Sequence, residues 1–138
     1  MMATRGAKES PCTPADARSR LQQAEAFVLV ADLALADNTN VATPAVTAAL
    51  AVLAGIAASD AACCTKLGTR PRGEHNEAPQ LLKTVQPHGP QMAKDLAALI
   101  AAKDESHYGV QLVSRAKAQQ MLKRASRLVA CASDVVNS

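Results

Sequence analysis

The apolar residues of this chain are almost all small and aliphatic. Of 138 residues, 49% are hydrophobic, yet the chain contains one Phe, one Tyr and no Trp. Small side chains let helix axes approach closely, whereas sheets favour β-branched and aromatic residues. A chain of this length buries roughly two-thirds of its unfolded surface, which supports one core without metal or disulfide cross-links. We therefore predict an all-α fold, a compact up-and-down bundle of four or five helices.

Cap and breaker residues mark where the helices begin and end. Thr13 and Pro14 predict the start of a first helix that ends at residues 37–40, because Thr caps an N-terminus and Pro suits the first helical position. The other expected helices are a second one from Thr43 to about Leu67 with Gly68 as its C-terminal cap, a short one within residues 74–85, a fourth over about 91–106, and a last one capped by Ser114.

The N-terminal residues and the cysteines bear on where the protein is found in the cell and on where its folded domain begins. Residues 1–12 are polar and lack the apolar core of an export signal, so we expect a disordered tail at 1–12 and a single helical domain at 13–138. The cysteine spacings do not fit a zinc site, and we expect no metal and no cofactor. Free thiols in a cytoplasmic protein are the simplest expectation for all four cysteines, which are Cys12, Cys63, Cys64 and Cys131.

The second predicted helix is apolar nearly all round. Residues 41–59 carry no charge, are interrupted by Pro44 and Gly55, and are followed at once by Asp60. A membrane span needs about 20 predominantly apolar residues, so a membrane helix is an alternative here, but we expect the central helix of a bundle and no membrane contact. Asp60 would then be a buried carboxylate, which needs a partner. It predicts a polar pocket inside the bundle.

The last predicted helix has one apolar stripe, and its basic residues lie mostly off that stripe. Such a basic face is either solvated or a nucleic-acid-binding surface. The net charge of +3 is too mild to decide between these alternatives. The basic residues are Arg115, Lys117, Lys123, Arg124 and Arg127.

The best candidate site in the sequence is the cluster of Lys103, His107 and Tyr108, where the fourth helix ends. Residues four apart share a helix face. A His near neutral pH transfers protons, a cation stabilises phosphate charge, and a Tyr orients a phosphate or stacks on a base. These groups suit metal-free RNA cleavage by the 2′-hydroxyl, or nucleotide binding. The alternative is that they only close a helix end.

Three segments resemble the HEPN domains (higher eukaryotes and prokaryotes nucleotide-binding), especially short stand-alone actinobacterial members. They are residues 51–61 (AVLAGIAASDA), residues 75–78 (HNEA), and residues 99–109, which end in KDESHYG. The likeness covers about residues 17–135 and includes the helix order. It implies a homodimer with the polar site near the dimer seam. Many members are metal-independent endoribonucleases, and they act as toxins, phage-defence effectors or partners of a nucleotidyltransferase antitoxin.

The resemblance also implies roles for individual residues. The family motif is an Arg followed four to six residues later by His, often with Tyr close behind; here Lys103 stands in the place of the Arg, with three residues before His107. Lys keeps the charge but lacks the planar fork of Arg. Within this resemblance His107 would transfer the proton, Lys103 would hold the phosphate, Tyr108 would orient the substrate, and Asp60 would hold Lys103 or His107. Arg70 and Arg72 would extend the anion-binding rim. His75 is read from the residues as the start of the short third helix, with a share in this anion site as the alternative.

A second hypothesis is a non-catalytic helical interaction or dimerisation module, such as an accessory or antitoxin-like partner. It would dimerise through the Ala-rich helix faces and use the basic last helix for its partner. The sequence contains no glycine-rich phosphate loop and no nucleophile elbow that would support another enzyme class. The RNA-directed domain is therefore the first prediction and the interaction module is the alternative.

Overall fold

The computed structural model describes residues 9–72, 77–107 and 113–138, with the side chains of residues 104–107 outside the description. Over these ranges the chain is an all-α bundle with one very small sheet, as predicted. In chain order the elements are β1 (Glu9–Pro11), α1 (Pro14–Ala36), α2 (Thr43–Leu67), β2 (Thr69–Pro71), α3 (Ala78–Leu82), α4 (Gly89–His107) and α5 (Arg115–Asn137).

Local capping sets the helix boundaries, as the sequence predicts. Thr13 and Asp16 form a reciprocal capping box at the start of α1, in which each side chain accepts a hydrogen bond from the backbone N–H of the other residue, at 3.1 and 2.9 Å. At the C-terminal end of α2, Gly68 has a φ of 69°, a left-handed conformation that favours glycine. Ser114 accepts a hydrogen bond from the Lys117 N–H and caps α5. The helix limits predicted from these residues are confirmed.

Helix α2 lies at the centre and packs against α1, α4 and α5. Close approach is possible because the buried positions of α2 are mostly Ala and Gly. A Cβ atom added at Gly55 would lie 2.8 Å from Leu99 Cδ1 and 3.4 Å from Leu128 Cδ2, so glycine is required for this spacing. Among the described helices, α2 is the one long and apolar enough to cross a membrane, with mean hydropathy 1.8, and most of that stretch is buried inside the bundle.

The N-terminal boundary differs from the prediction. Residues Glu9–Pro11 pair antiparallel with Thr69–Pro71, so the folded part begins at or before Glu9 rather than at Thr13. The prediction of a disordered tail over 1–12 is therefore wrong for residues 9–12, and residues 1–8 lie outside the description. The partner strand β2 directly follows Gly68, the residue that ends α2. A strand pair that joins such distant segments leaves no local pattern in the sequence.

Two of the four cysteines are not free thiols, contrary to the prediction. Cys12 and Cys64 form a disulfide that links the residue after β1 to the last turn of α2. Cys63 is a buried thiol, and its burial, with the nearby charge of Asp60, raises its pKa to about 12. Cys131 is a partly buried thiol. The sequence suggested no pairing because disulfide partners meet only in the folded chain.

Candidate functional site

Asp60 lies at the centre of the first polar cluster. It is almost fully buried on α2, as its position in an apolar helix predicts. Arg20 from α1 holds it with its Nε and Nη2 atoms, 3.0 and 2.9 Å from Oδ2. Arg70 from β2 approaches the same oxygen at 3.6 Å. The prediction that the buried Asp60 needs a partner is met by Arg20, a partly exposed residue that the sequence interpretation did not select.

Arg20 could have been recognised as a partner from its position. It directly precedes Leu21, which belongs to the buried stripe of α1, so it lies at the edge of the core. An Arg at such an edge can extend its guanidinium towards a buried acid while its stem covers apolar surface. What the sequence did not indicate is which acid it would reach, because Arg20 and Asp60 are 40 residues apart.

The residues predicted for the anion-binding rim are only partly described. Arg70 is partly exposed and shares its charge with Asp60. Arg72 is exposed, one residue after the end of β2. His75 lies outside the described residues. Arg70 therefore belongs to the Asp60 cluster and Arg72 lies two residues after it in the chain, whereas the role of His75 stays a prediction.

The predicted Lys103, His107 and Tyr108 site lies at the end of α4. This helix extends through His107, so positions 103 and 107 are one helical turn apart, as predicted. The Lys103 side chain is exposed. The His107 side chain and all of Tyr108 lie outside the description. That Asp60 holds Lys103 or His107 stays a prediction; the acid's partners described above are Arg20 and Arg70.

A second polar cluster joins α4 to α5, and the sequence interpretation missed its centre. Asp95 is completely buried on α4. Arg127 grips it with a two-point fork, with Nε 2.9 Å from Oδ2 and Nη2 2.6 Å from Oδ1. Arg124 lies 3.5 Å from Oδ1, and Gln91 Nε2 donates to Oδ2 at 3.3 Å. Burial acts to raise the pKa of Asp95, but the hydrogen bonds and charges around it leave that pKa below its usual value.

The sequence did hold a signal for this cluster. Asp95 follows Met92 by three residues and precedes Leu99 by four, so it falls on the apolar stripe of α4. A charged residue on such a stripe needs a buried partner. The partners are two of the basic residues of α5, which the sequence interpretation assigned either to a solvated or to a nucleic-acid-binding face.

A shallow groove runs along the N-terminal half of α5. It is an open depression of about 740 Å³, and two lysines give it positive charge although more of its lining surface is apolar than polar. Among the described side chains, no group of three or more His, Cys, Asp or Glu residues is arranged to hold a metal ion. The groove is lined by Ala116, Lys117, Gln119, Gln120 and Lys123.

The fold defines the chain as an all-α helical bundle with two buried acids, each held by arginines from other elements. Comparison with protein families, with curated proteins and with solved structures finds no match to this chain.

Proposed function

We propose that this protein is an RNA-directed domain of the HEPN type, with a metal-independent ribonuclease site at the C-terminal end of α4. The observation that carries the proposal is the continuation of α4 through His107. An exposed Lys103 then lies one turn before His107 on the same helix face. A cation and a proton-transfer group at this spacing can both contact a single phosphodiester.

The proposed reaction uses the RNA's own 2′-hydroxyl as the nucleophile. His107 accepts the hydroxyl proton as the 2′-oxygen bonds to the adjacent phosphorus. The bond from phosphorus to the 5′-oxygen breaks, and solvent protonates that oxygen. Lys103 stabilises the negative charge on the phosphoryl oxygens. The products are a 2′,3′-cyclic phosphate and a 5′-hydroxyl.

The proposal is tested by incubating a labelled single-stranded RNA with the protein in EDTA. We expect the wild type to cut, and His107→Ala to cut at least about 100-fold more slowly, because a positioned general acid or base contributes about 10²–10⁴-fold. Lys103→Arg should retain cleavage because it restores the family's guanidinium. The matched control is Lys94→Ala, which removes an exposed lysine from the same helix and should leave the rate unchanged. Cleavage that persists in His107→Ala would refute the assignment.

The second candidate function, a non-catalytic association module, has one observation in its favour. Leu29 and Leu33 lie one turn apart on α1 and are 62% and 64% exposed. Val30 and Val46 are also about half exposed, and a hydrogen bond from Thr47 Oγ1 to the Ala31 carbonyl oxygen joins α1 to α2 one residue further along each helix. Exposed apolar side chains that cluster in this way are typical of contact surfaces. For such a module, the Lys103→Ala and His107→Ala variants should leave every binding constant unchanged.

A further inference from the structure

Asp95 accepts hydrogen bonds from only some of the N–H donors of the arginines that surround it. An Arg carries five N–H donors, and the fork to Asp95 uses two of those on Arg127. The Arg127 side chain remains 47% exposed and that of Arg124 31% exposed, while Asp95 itself is fully enclosed. One carboxylate faces two guanidiniums, so the cluster retains a net positive charge at the surface of α5.

The cluster continues a line of polar and basic residues along one side of α5. Lys117, Gln120, Lys123 and Arg127 follow one another at steps of three or four residues, the spacing of a single helix face. At a rise of 1.5 Å per residue, the line from Lys117 to Arg127 spans roughly 15 Å. Its first half lines the groove at Lys117, Gln120 and Lys123.

Holding an Arg on a buried acid fixes its orientation before a ligand arrives. Arg is suited to phosphate because its planar donors match the phosphate oxygens, and less rotational freedom is lost when the side chain is already held. α5 carries no aromatic residue on which a base could stack. The positive charges of this surface therefore fit a phosphate backbone.

We propose that Arg124 and Arg127, oriented by Asp95, bind backbone phosphates of single-stranded RNA, and that Lys117 and Lys123 extend this contact along α5. This rests on the proposed RNA-directed function and adds the surface that holds the substrate. Binding through this surface is independent of base sequence. The competing explanation is that Asp95 and its arginines only fasten α4 to α5.

The test is binding of the full-length protein to a labelled 2′-O-methyl oligonucleotide, which lacks the free 2′-hydroxyl and so cannot be cleaved. Affinity is measured by fluorescence anisotropy over a range of KCl concentrations. For single strands, the log–log salt slope changes by about 0.7 per phosphate contact. Arg124→Gln should lower the slope by that amount and weaken binding about 3- to 10-fold. Arg127→Lys should weaken binding and leave the salt slope unchanged, because the positive charge remains while the two hydrogen bonds that orient the side chain on Asp95 are lost.

Arg18→Gln is the matched control. It removes one positive charge from an exposed position on α1 and should leave both the affinity and the slope unchanged. Thermal unfolding of each variant verifies its fold; Arg124→Gln leaves the Arg127 fork intact, so this variant keeps the test valid if Arg127→Lys is unstable.

An Arg124→Gln variant that binds within about twofold of wild type, with the same slope, overturns the inference. So does a wild-type protein that binds no oligonucleotide at 50 mM KCl or below, the low-salt range in which phosphate contacts are strongest. The proposed function is judged separately by cleavage in EDTA. If the wild type cleaves RNA and Arg124→Gln binds RNA as the wild type does, only the proposed binding surface is refuted. If Arg124→Gln loses affinity but the wild type cleaves no RNA, only the proposed nuclease activity is refuted.

Discussion

Reduction of the Cys12–Cys64 disulfide should destabilise the protein strongly. The bond joins residues 52 positions apart in the chain. In the chain-entropy model, a loop of this length removes enough freedom from the unfolded state to stabilise the fold by about 4 kcal/mol. For a domain whose total stability is of the order of 5–15 kcal/mol, this is a large fraction. We expect the melting temperature to fall by roughly 10–15 °C on reduction.

The bond also holds the N-terminal strand in place. β1 and β2 pair over three residues each, and a two-stranded pairing of this size is marginal by itself. Reduction should therefore release residues 9–12 from β2 before the helices unfold. Hydrogen exchange at the Cys12 N–H, which donates to the Gly68 carbonyl oxygen at 3.0 Å, reports this local opening.

The assay combines thiol titration with thermal unfolding. Denatured oxidised protein should titrate with two thiols, because two of its four cysteines are bonded, and reduced protein with four. Cys12→Ser should melt at the lower temperature whether or not reductant is present. Cys131→Ser is the matched control, because it removes a free cysteine and should keep the response to reductant. The prediction is wrong if protein purified without reductant titrates with four thiols and melts at the same temperature with and without reductant.

Two further predictions concern Asp95 and the exposed apolar side chains. Because the folded-state pKa of Asp95 lies below its usual value of 3.8, its contribution to stability is present above that pH and is lost as the pH falls through the lowered pKa. Asp95→Asn should therefore cost about 2 kcal/mol at pH 7. Urea titrations should show that this difference from wild type shrinks as the pH falls below the usual carboxyl range and through the lowered pKa of Asp95. A difference that stays constant over this fall in pH would contradict the assignment. If the exposed apolar side chains of α1 form a contact between two copies of the chain, the double variant Leu29→Gln, Leu33→Gln should sediment as a monomer where the wild type sediments as a dimer. Gln22→Ala changes an exposed polar position of the same helix and should leave the dimer intact. An unchanged oligomeric state in the double variant would rule this contact out.

The two acid clusters have different consequences for function. Asp60 binds arginines from α1 and β2, so it ties the N-terminal half of the chain together at the centre of the bundle. Asp95 instead binds arginines from α5 and leaves them at the surface. A buried acid that is paired with arginines is poor support for stability alone, because desolvation offsets much of the attraction. Stability alone therefore explains the Asp95 cluster poorly, whereas phosphate binding by its exposed arginines gives the cluster a function.

The positions of the long helices were predictable from local residue patterns. Thr13, Gly68 and Ser114 act on backbone groups only a few residues away, so their effect is readable without knowledge of the fold. The uncharged stretch that ends at Asp60 likewise predicted the central helix and its buried acid, because burial of a whole helix requires apolar residues on every side.

The contacts between distant residues, in contrast, were not predictable without the packed fold. The Cys12–Cys64 bond, the strand pair and the forks on Asp60 and Asp95 join residues between 32 and 62 positions apart. Such partners are selected by the packing of the helices, which brings particular side chains within a few ångströms of one another, and no local pattern encodes that choice. The basic residues of α5 show the difference. Their spacing along the helix was evident from the sequence, whereas the pairing of Arg124 and Arg127 with the buried Asp95 depends on the packing of α4 against α5.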